Sequence, residues 1–345
     1  MTETSLQHDE PVATAPVRSF GKQARSLAGY TILSALMFVS PLRVFLPAAL
    51  FHCGIRNGRR AAWLVFVLSA GIAGLLVFGT TRAGSAADAP ITFGYLLAIC
   101  LAIGIPALAA LPLVERGERF GRVLMFALIM GIAGLAVTEL TMRMVTGASP
   151  YASELANAHV TTATMVASYQ QAGLPPDAVS FFKRWMDIAT LCLPALLLID
   201  IILVFVFSLV MLGRLRAWRN YALVRDPAVV TAYLFRNLSL PEWLLFAFVA
   251  SGLTPLASGM VQQIGANVLA VVAFLYLLQG LAIFRSFIAR TSSGFIGSLF
   301  AWMLLGFLAL TGISQVLLCM AGLFDSFFDF RHFNRKDHSD ESHSH

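Results

Sequence analysis

Long apolar runs separated by short polar loops dominate the chain. About 20 apolar residues in a helix match the hydrocarbon thickness of a bilayer. The pattern predicts spans near residues 61–79, 91–113, 123–145, 186–212, 240–260, 264–285 and 296–322. We therefore predict an all-α fold, a polytopic integral membrane helix bundle with about eight or nine hydrophobic segments. The bundle would cover residues 24–322, between a polar tail at 1–23 and a second polar tail at 323–345.

The first apolar run, residues 26–54, has a different character. It contains Pro41, Arg43 and Pro47 within one stretch. Proline removes a backbone donor from a helix, and a charge at membrane depth is costly. We expect a broken helix, or a helix followed by a short re-entrant piece. Irregular backbone at that depth is tolerated only where protein or a cavity surrounds it.

Arginine distribution predicts the orientation of the bundle. The Arg-rich loops are 54–60, 115–122, 214–236 and 285–290. Positive loops face the cytoplasm, so we expect a multi-pass protein of a bacterial inner membrane with a cytoplasmic N-terminus. The longest loop, 146–185, has few basic residues and would lie on the other side, with an amphipathic helix around 151–172. Counting the spans then places the C-terminus outside.

Composition supports membrane insertion and excludes several classes of function. The chain is 58% hydrophobic and 12% charged, whereas a soluble domain has about 25% charged residues. The net charge of +6 comes from arginines and lysines in short loops between apolar runs. We therefore expect the protein to lie in the lipid bilayer and not to bind nucleic acid. No catalytic or nucleotide-binding motif is present, and Cys53, Cys100, Cys192 and Cys319 form no metal-binding pattern. We expect no enzyme activity, no cofactor and no metal.

Two charged residues within apolar segments are candidates for a binding site. Asp200 lies near the middle of the 186–212 span, and Arg43 lies between the two prolines of the broken segment. A carboxylate at this depth binds a substrate or proton, or makes a packing hydrogen bond as a neutral acid. A cation beside a half-helix end resembles the way transporters bind anions, although it also fits a charge at a helix end. Glu139 and Arg143 are four residues apart and are expected to pair within one helix.

Asn267 and Gln279 are uncharged polar residues in a predicted span. Such amides usually form hydrogen bonds between helices, and packing is the simpler interpretation for each one. Together they could line a cavity, so they complete the predicted substrate-binding set of Asp200, Arg43, Gln279 and Asn267.

The C-terminal third contains a recognisable set of motifs. Arg236 and Pro241 precede one span, a Leu-Gln-Gly-Leu-Ala-Ile-Phe run ends at residue 284, and Asp325, Asp329 and Arg331 close the last helix. Over residues 230–333 this arrangement resembles the YybS-like family of predicted bacterial membrane proteins. From the order of the spans we expect Arg236 and Asp325 on opposite sides of the membrane.

The YybS-like family is itself distantly similar to the substrate-binding components of energy-coupling-factor transporters. The resemblance implies a transport-related, solute-binding membrane subunit without its own ATPase, which would need other transport subunits as partners. The alternative is a membrane scaffold or assembly factor that acts through its C-terminal face. The sequence leaves both hypotheses open.

Overall fold

The computed structural model describes residues 20–83, 89–147, 149–291, 297, 303–304, 306–307 and 312–328. Within these ranges the chain is helical and contains no strand. The helices are α1 (Phe20–Phe38), α2 (Leu46–Asn57), α3 (Arg59–Ala83), α4 (Ala89–Ile99), α5 (Ile105–Glu115), α6 (Phe120–Thr146), α7 (Pro150–Gln171), α8 (Pro176–Leu191), α9 (Leu193–Arg214), α10 (Arg216–Arg225), α11 (Leu244–Gly252), α12 (Met260–Thr291) and α13 (Gly312–Phe328).

Five helical stretches among the described residues are long and apolar enough to cross a membrane. They are Arg59–Gly79, Thr92–Glu115, Phe120–Thr146, Leu193–Arg214 and Met260–Ile288. Each overlaps a span predicted from the sequence, which confirms a multi-helix membrane protein. The predicted total of eight or nine segments is not confirmed.

Two predicted spans differ in the structure. The helix expected at 186–212 is divided at Cys192, so that α9 begins at Leu193 and α8 lies before it. The run at 240–260 forms only the 9-residue α11, followed by a 3₁₀ turn at Thr254–Leu256. Nine helical residues rise about 14 Å, which is too short to cross the hydrocarbon region. Pro255 ends the apolar helix early because proline removes a helical hydrogen bond.

The first apolar segment is broken, as its prolines predict. Helix α1 ends at Phe38, a 3₁₀ turn covers Pro41–Phe45, and α2 begins at Leu46. The side chain of Ser40 accepts a hydrogen bond from the Leu42 N–H and caps the turn. The Tyr30 hydroxyl lies 2.7 Å from His52 Nδ1. Since this contact joins the middle of α1 to α2, the two helices form a hairpin.

Helix α2 lies at the centre of the bundle. Most of its residues are buried, including Leu46, Leu50 and Phe51, which have no exposed surface. It contacts α1, α3, α5 and α9. Protein therefore surrounds α2, whereas the 3₁₀ turn before it has no buried residue and lines a cavity. A cavity is the other setting in which irregular backbone is tolerated at membrane depth.

The long loop at 146–185 contains a helical hairpin. The predicted amphipathic helix is present as α7, and the chain then turns at 172–175 into α8. Tyr169 and Phe182 pack edge to face, with 4.6 Å between ring centroids. Few residues of α7 and α8 are buried, so this hairpin extends from the bundle.

The Arg-rich segment after α9 folds over the ends of the neighbouring helices. Trp218 and Tyr233 are fully buried, with 4.9 Å between their ring centroids. Gly121 of α6 and Gly213 of α9 let the backbone of this segment pack directly against the two helices. A Cβ added to Gly121 would lie 1.9 Å from the Ser239 carbonyl oxygen, and one added to Gly213 would lie 2.7 Å from that of Tyr233. Burial raises the pKa of the Tyr233 phenol, and the nearby Glu118 carboxylate adds to the shift. Tyr233 is therefore neutral at physiological pH.

Helices α12 and α13 cross with their backbones in contact. A Cβ on Gly280 would lie 1.9 Å from the Leu318 carbonyl oxygen, and one on Gly322 would lie 2.0 Å from that of Tyr276. Glycine at both positions permits the close packing that drives helix association in lipid.

Candidate functional site

Arg43 and Asp200 form an ion pair between the broken segment and α9. Arg43 Nη2 donates to Asp200 Oδ2 over 3.0 Å. Asp200 lies about two turns into α9, and Arg43 projects from the 3₁₀ turn that the prolines create. Both residues were predicted to belong to a site, and the structure brings them together.

Two further contacts hold the 3₁₀ turn against α9. The Ser208 hydroxyl donates to the Val44 carbonyl oxygen over 3.0 Å. Phe45 and Phe207 pack edge to face, with 5.1 Å between ring centroids and an 82° angle between planes. Ser208 satisfies a carbonyl that the irregular turn would leave unpaired in an apolar setting. The position of Arg43 is therefore defined by its backbone as well as by its own charge.

A cavity of about 890 Å³ lies beside the ion pair. Its walls come from the end of α1, the 3₁₀ turn, α3, α4 and α9, and both Arg43 and Asp200 line it. Most of the lining is apolar, with hydroxyls from Ser40, Thr92 and Tyr95. Its volume and its apolar lining with a few polar groups lie in the range of small-molecule sites, and the cavity is open to the surface beside Val39, Leu76 and Tyr95.

The ion pair retains free hydrogen-bonding capacity toward this cavity. The side chains of Arg43 and Asp200 are 38% and 42% exposed. Among the described residues, neither side chain has a further hydrogen-bond partner. A guanidinium has five N–H donors and a carboxylate has two acceptor oxygens, so most of the donors of Arg43 and one oxygen of Asp200 remain available.

A π-helical turn at Cys100–Gly104 lies directly after the cavity wall. Ile99 lines the cavity, and the turn separates α4 from α5. Gly134 of α6 packs against it, since an added Cβ would lie 2.1 Å from the Leu101 carbonyl oxygen. Such π-turns often occur at functional sites.

Asn267 lies at the junction of α8 and α9 and does not line the cavity. Its Oδ1 accepts from the Ala195 N–H over 2.9 Å, and its Nδ2 donates to the Leu191 carbonyl oxygen over 3.1 Å. In an unbroken helix those two backbone groups would bond to each other. The side-chain amide of Asn267 thus replaces the backbone hydrogen bond between Leu191 and Ala195 at the break before Pro194.

Gln279 also lies away from the cavity, in a buried hydrogen-bonded chain. Its Oε1 accepts from the Leu240 N–H over 3.2 Å, and its Nε2 donates to Asp325 Oδ2 over 3.1 Å. Gln279 and Asp325 are 2% and 9% exposed. Their hydrogen bonds join α12, α13 and the segment before Pro241.

Asp325 and Arg236 both lie in the neighbourhood of Gln279. The 3₁₀ turn that contains Arg236 precedes Leu240, whose N–H donates to Gln279, and Gln279 donates to Asp325. The expectation that Arg236 and Asp325 lie on opposite sides of the membrane stays a prediction. Asp329 and Arg331 lie outside the described residues.

Other polar residues have local structural roles. Arg143 Nε donates to Glu139 Oε1 over 2.6 Å, which confirms the predicted pair within α6. The Glu139 carboxylate also accepts from the Ser149 hydroxyl and the Tyr151 N–H, so it ties α6 to α7. Within the described ranges, no three His, Cys, Asp or Glu side chains are placed to hold a metal ion.

Sequence reasoning missed the polar groups that complete the cavity wall. Thr92 and Tyr95 belong to the predicted span 91–113, where a hydroxyl is common and gives no signal by itself. Ser40 directly precedes Pro41, and a serine before a proline is a recognised start of a helical turn. The pairing of Tyr30 with His52 was also missed, because it depends on the folding back of α2.

Comparison with known proteins establishes the family. The family model of predicted membrane proteins DUF2232 matches residues 29–326. The chain belongs to this family. No curated protein and no solved structure shows significant similarity to it. The match covers the bundle and includes the ion pair, the cavity wall and Asp325, while the YybS-like name and the likeness to energy-coupling-factor components stay predictions.

Proposed function

We propose that this DUF2232 protein is a solute-binding membrane subunit related to transport, with its site at the Arg43–Asp200 cavity. The observation that carries the proposal is the ion pair, which joins two charged residues from distant parts of the chain at the wall of an apolar cavity. Charges within apolar segments are costly and usually functional. A pair that only stabilised the fold would be expected to use more of its hydrogen-bonding groups within the protein.

The chain has no nucleotide-binding motif, so ATP-driven transport would require a separate energy-coupling partner. In this proposal the protein captures the solute and another membrane subunit moves it, which is the division of labour that the predicted transporter resemblance implies. Assembly with partners would then be separable from solute binding.

Native mass spectrometry of the gently purified protein tests the site. We expect the wild-type protein to retain a bound small molecule, and Asp200→Asn to lose it while still accumulating in the membrane. Glu118→Gln is the matched control, because Glu118 is a partly exposed carboxylate that pairs with Arg122 over 2.6 Å and does not line the cavity. If Asp200→Asn retains the molecule, the Arg43–Asp200 ion pair is not part of the binding site.

Co-purification from the native host tests the link to transport. We expect a coupling subunit and an ATPase pair to be recovered with the wild-type protein and also with Asp200→Asn. Recovery of the chain alone, without a retained small molecule, would contradict the proposed function.

A scaffold role is the second candidate, and one observation favours it. Helix α13 exposes Phe324, Phe327 and Phe328, which are 42%, 59% and 60% exposed. Such a group suits helix–helix contact with another membrane protein. If this role is correct, replacing Phe327 and Phe328 with alanine will reduce partner recovery, and Asp200→Asn will leave partner recovery and retained small molecules unchanged.

A further inference from the structure

The charges at the cavity wall define the kind of ligand that the site can take. Arg43 and Asp200 contribute one positive and one negative group, 3.0 Å apart. A ligand with a single charge would pair with one of them and leave the other without its partner in an apolar surrounding. Breaking one side of such a pair is costly. A zwitterion can satisfy both residues and keep the site neutral.

The available hydrogen-bonding groups further narrow the ligand. Arg43 presents several N–H donors, which suit the oxygens of a phosphate or carboxylate, often in a two-point contact. Asp200 presents a carboxylate oxygen, which accepts from N–H or O–H donors and bonds most strongly to a charged donor such as a primary ammonium. The two ligand groups must lie a few bonds apart, since the protein groups themselves are adjacent.

The rest of the cavity favours an apolar body on this zwitterion. The walls include Phe38, Val39, Val44, Leu76, Leu96 and Ile99. At the edge, Val39 and Leu76 are 45% and 50% exposed, and Tyr95 is 48% exposed. These residues belong to the broken segment and to two candidate spans, so the cavity edge borders on surface that would face lipid.

We propose that the site binds a zwitterionic amphiphile, with an acidic group on Arg43, a primary ammonium on Asp200 and an apolar body against the walls. This inference rests on the proposed function and specifies the ligand of the same site. The chemistry could come from the headgroup of a phosphatidylethanolamine lipid or from a free amino acid with an apolar side chain.

Binding of short-chain lipids to the purified protein tests the inference. The probes are the dihexanoyl forms of phosphatidylethanolamine, phosphatidylcholine and phosphatidylglycerol. Phosphatidylcholine has no N–H on its ammonium group, and phosphatidylglycerol has no positive charge. We expect phosphatidylethanolamine to bind about tenfold or more tightly than either, because a hydrogen bond to a charged group contributes about 1.5–3 kcal/mol. Leucine and phenylalanine form the soluble arm of the experiment.

Variants show whether the preference comes from the ion pair. Asp200→Asn and Arg43→Gln should each abolish the discrimination, while Glu118→Gln should keep it. If Asp200→Asn does not accumulate, the double variant Arg43→Gln/Asp200→Asn replaces it, since that variant leaves no charge without its partner. Pair-dependent binding of phosphatidylethanolamine supports a lipid source, and pair-dependent binding of the amino acids alone supports a free solute.

Three results would overturn the inference. The first is equal or tighter binding of phosphatidylglycerol by the wild-type protein. The second is a preference for phosphatidylethanolamine that persists in Asp200→Asn. The third is no binding of any zwitterionic probe. In each case the proposed function is judged separately by the native mass spectrum: a retained molecule with one charge or none, lost in Asp200→Asn, would refute the zwitterion and leave the solute-binding site in place.

Discussion

At the scale of single residues, the same kind of polar side chain has two different uses in this protein. Asn267 and Gln279 bond to the backbone and to Asp325, which makes them structural groups. Arg43 and Asp200 bond only to each other among the described residues and face a cavity. The sequence identified all four as polar residues in apolar segments. It could not separate them, because the difference lies in what each side chain meets after folding.

Replacing Asn267 should destabilise the protein without a direct effect on the cavity. Asn267→Ala leaves the Leu191 carbonyl oxygen without its donor and the Ala195 N–H without its acceptor. We therefore expect the free energy of unfolding to fall by about 1–3 kcal/mol. The measurement is thermal unfolding in detergent, followed by tryptophan fluorescence. Asn220→Ala is the control, because Asn220 is exposed on α10. An unchanged melting temperature for Asn267→Ala would show that the amide does not stabilise the helix break.

At the scale of helices, one short sequence motif occurs twice. Gly-Ile-Ala-Gly-Leu is found at 71–75 in α3 and at 131–135 in α6. Two similar packing faces are a simpler explanation of the repeat than a duplicated helical hairpin. Only the second copy packs tightly: a Cβ on Gly134 would lie 2.1 Å from the Leu101 carbonyl oxygen, whereas one on Gly74 would lie 3.8 Å from the nearest atom of Leu96. The close contact depends on the π-turn, which the local sequence does not reveal.

The two copies supply a matched pair of substitutions. Gly134→Ala should lower the folded yield and the melting temperature, because overpacking against backbone costs about 1–3 kcal/mol. Gly74→Ala should lower neither, because its added Cβ meets no close neighbour and alanine favours a helix more than glycine does. Size-exclusion profiles and thermal unfolding in detergent measure the two effects. Equal behaviour of the two variants would contradict the described contact between α6 and the π-turn.

The break in the first apolar segment could be predicted from the sequence, and the break in the predicted span 186–212 could not. Pro41, Arg43 and Pro47 give three independent reasons for an interruption. At Cys192 the only local signal is Pro194, which is also acceptable in the first turn of a helix. The junction of α8 and α9 becomes clear only from Asn267, which lies in a helix remote in sequence.

At the scale of the whole molecule, the sequence correctly predicted a membrane helix bundle and most of its long spans. The number of crossings does not follow from composition alone, because short helices such as α2 and α11 are as apolar as parts of a full span. The side of the membrane on which Asp325 lies stays a prediction, because one segment counted differently reverses the side of every residue that follows it.

Cysteine labelling tests the predicted orientation. We expect Ala172→Cys, in the turn of the α7–α8 hairpin, to react with a membrane-impermeant maleimide in intact cells. Arg219→Cys, on the Arg-rich α10, should react only after permeabilisation, because positive loops face the cytoplasm. The chain without either substitution gives the background from its own cysteines. Labelling of both positions under the same condition would contradict the orientation.

A density map of the protein in native-membrane nanodiscs tests the central claim most directly. We predict a non-protein molecule in the cavity, within hydrogen-bonding distance of the Arg43 guanidinium and the Asp200 carboxylate, and its absence from the map of Asp200→Asn. Side chains that fill the cavity, or equal density in the two maps, would contradict a ligand site at this ion pair.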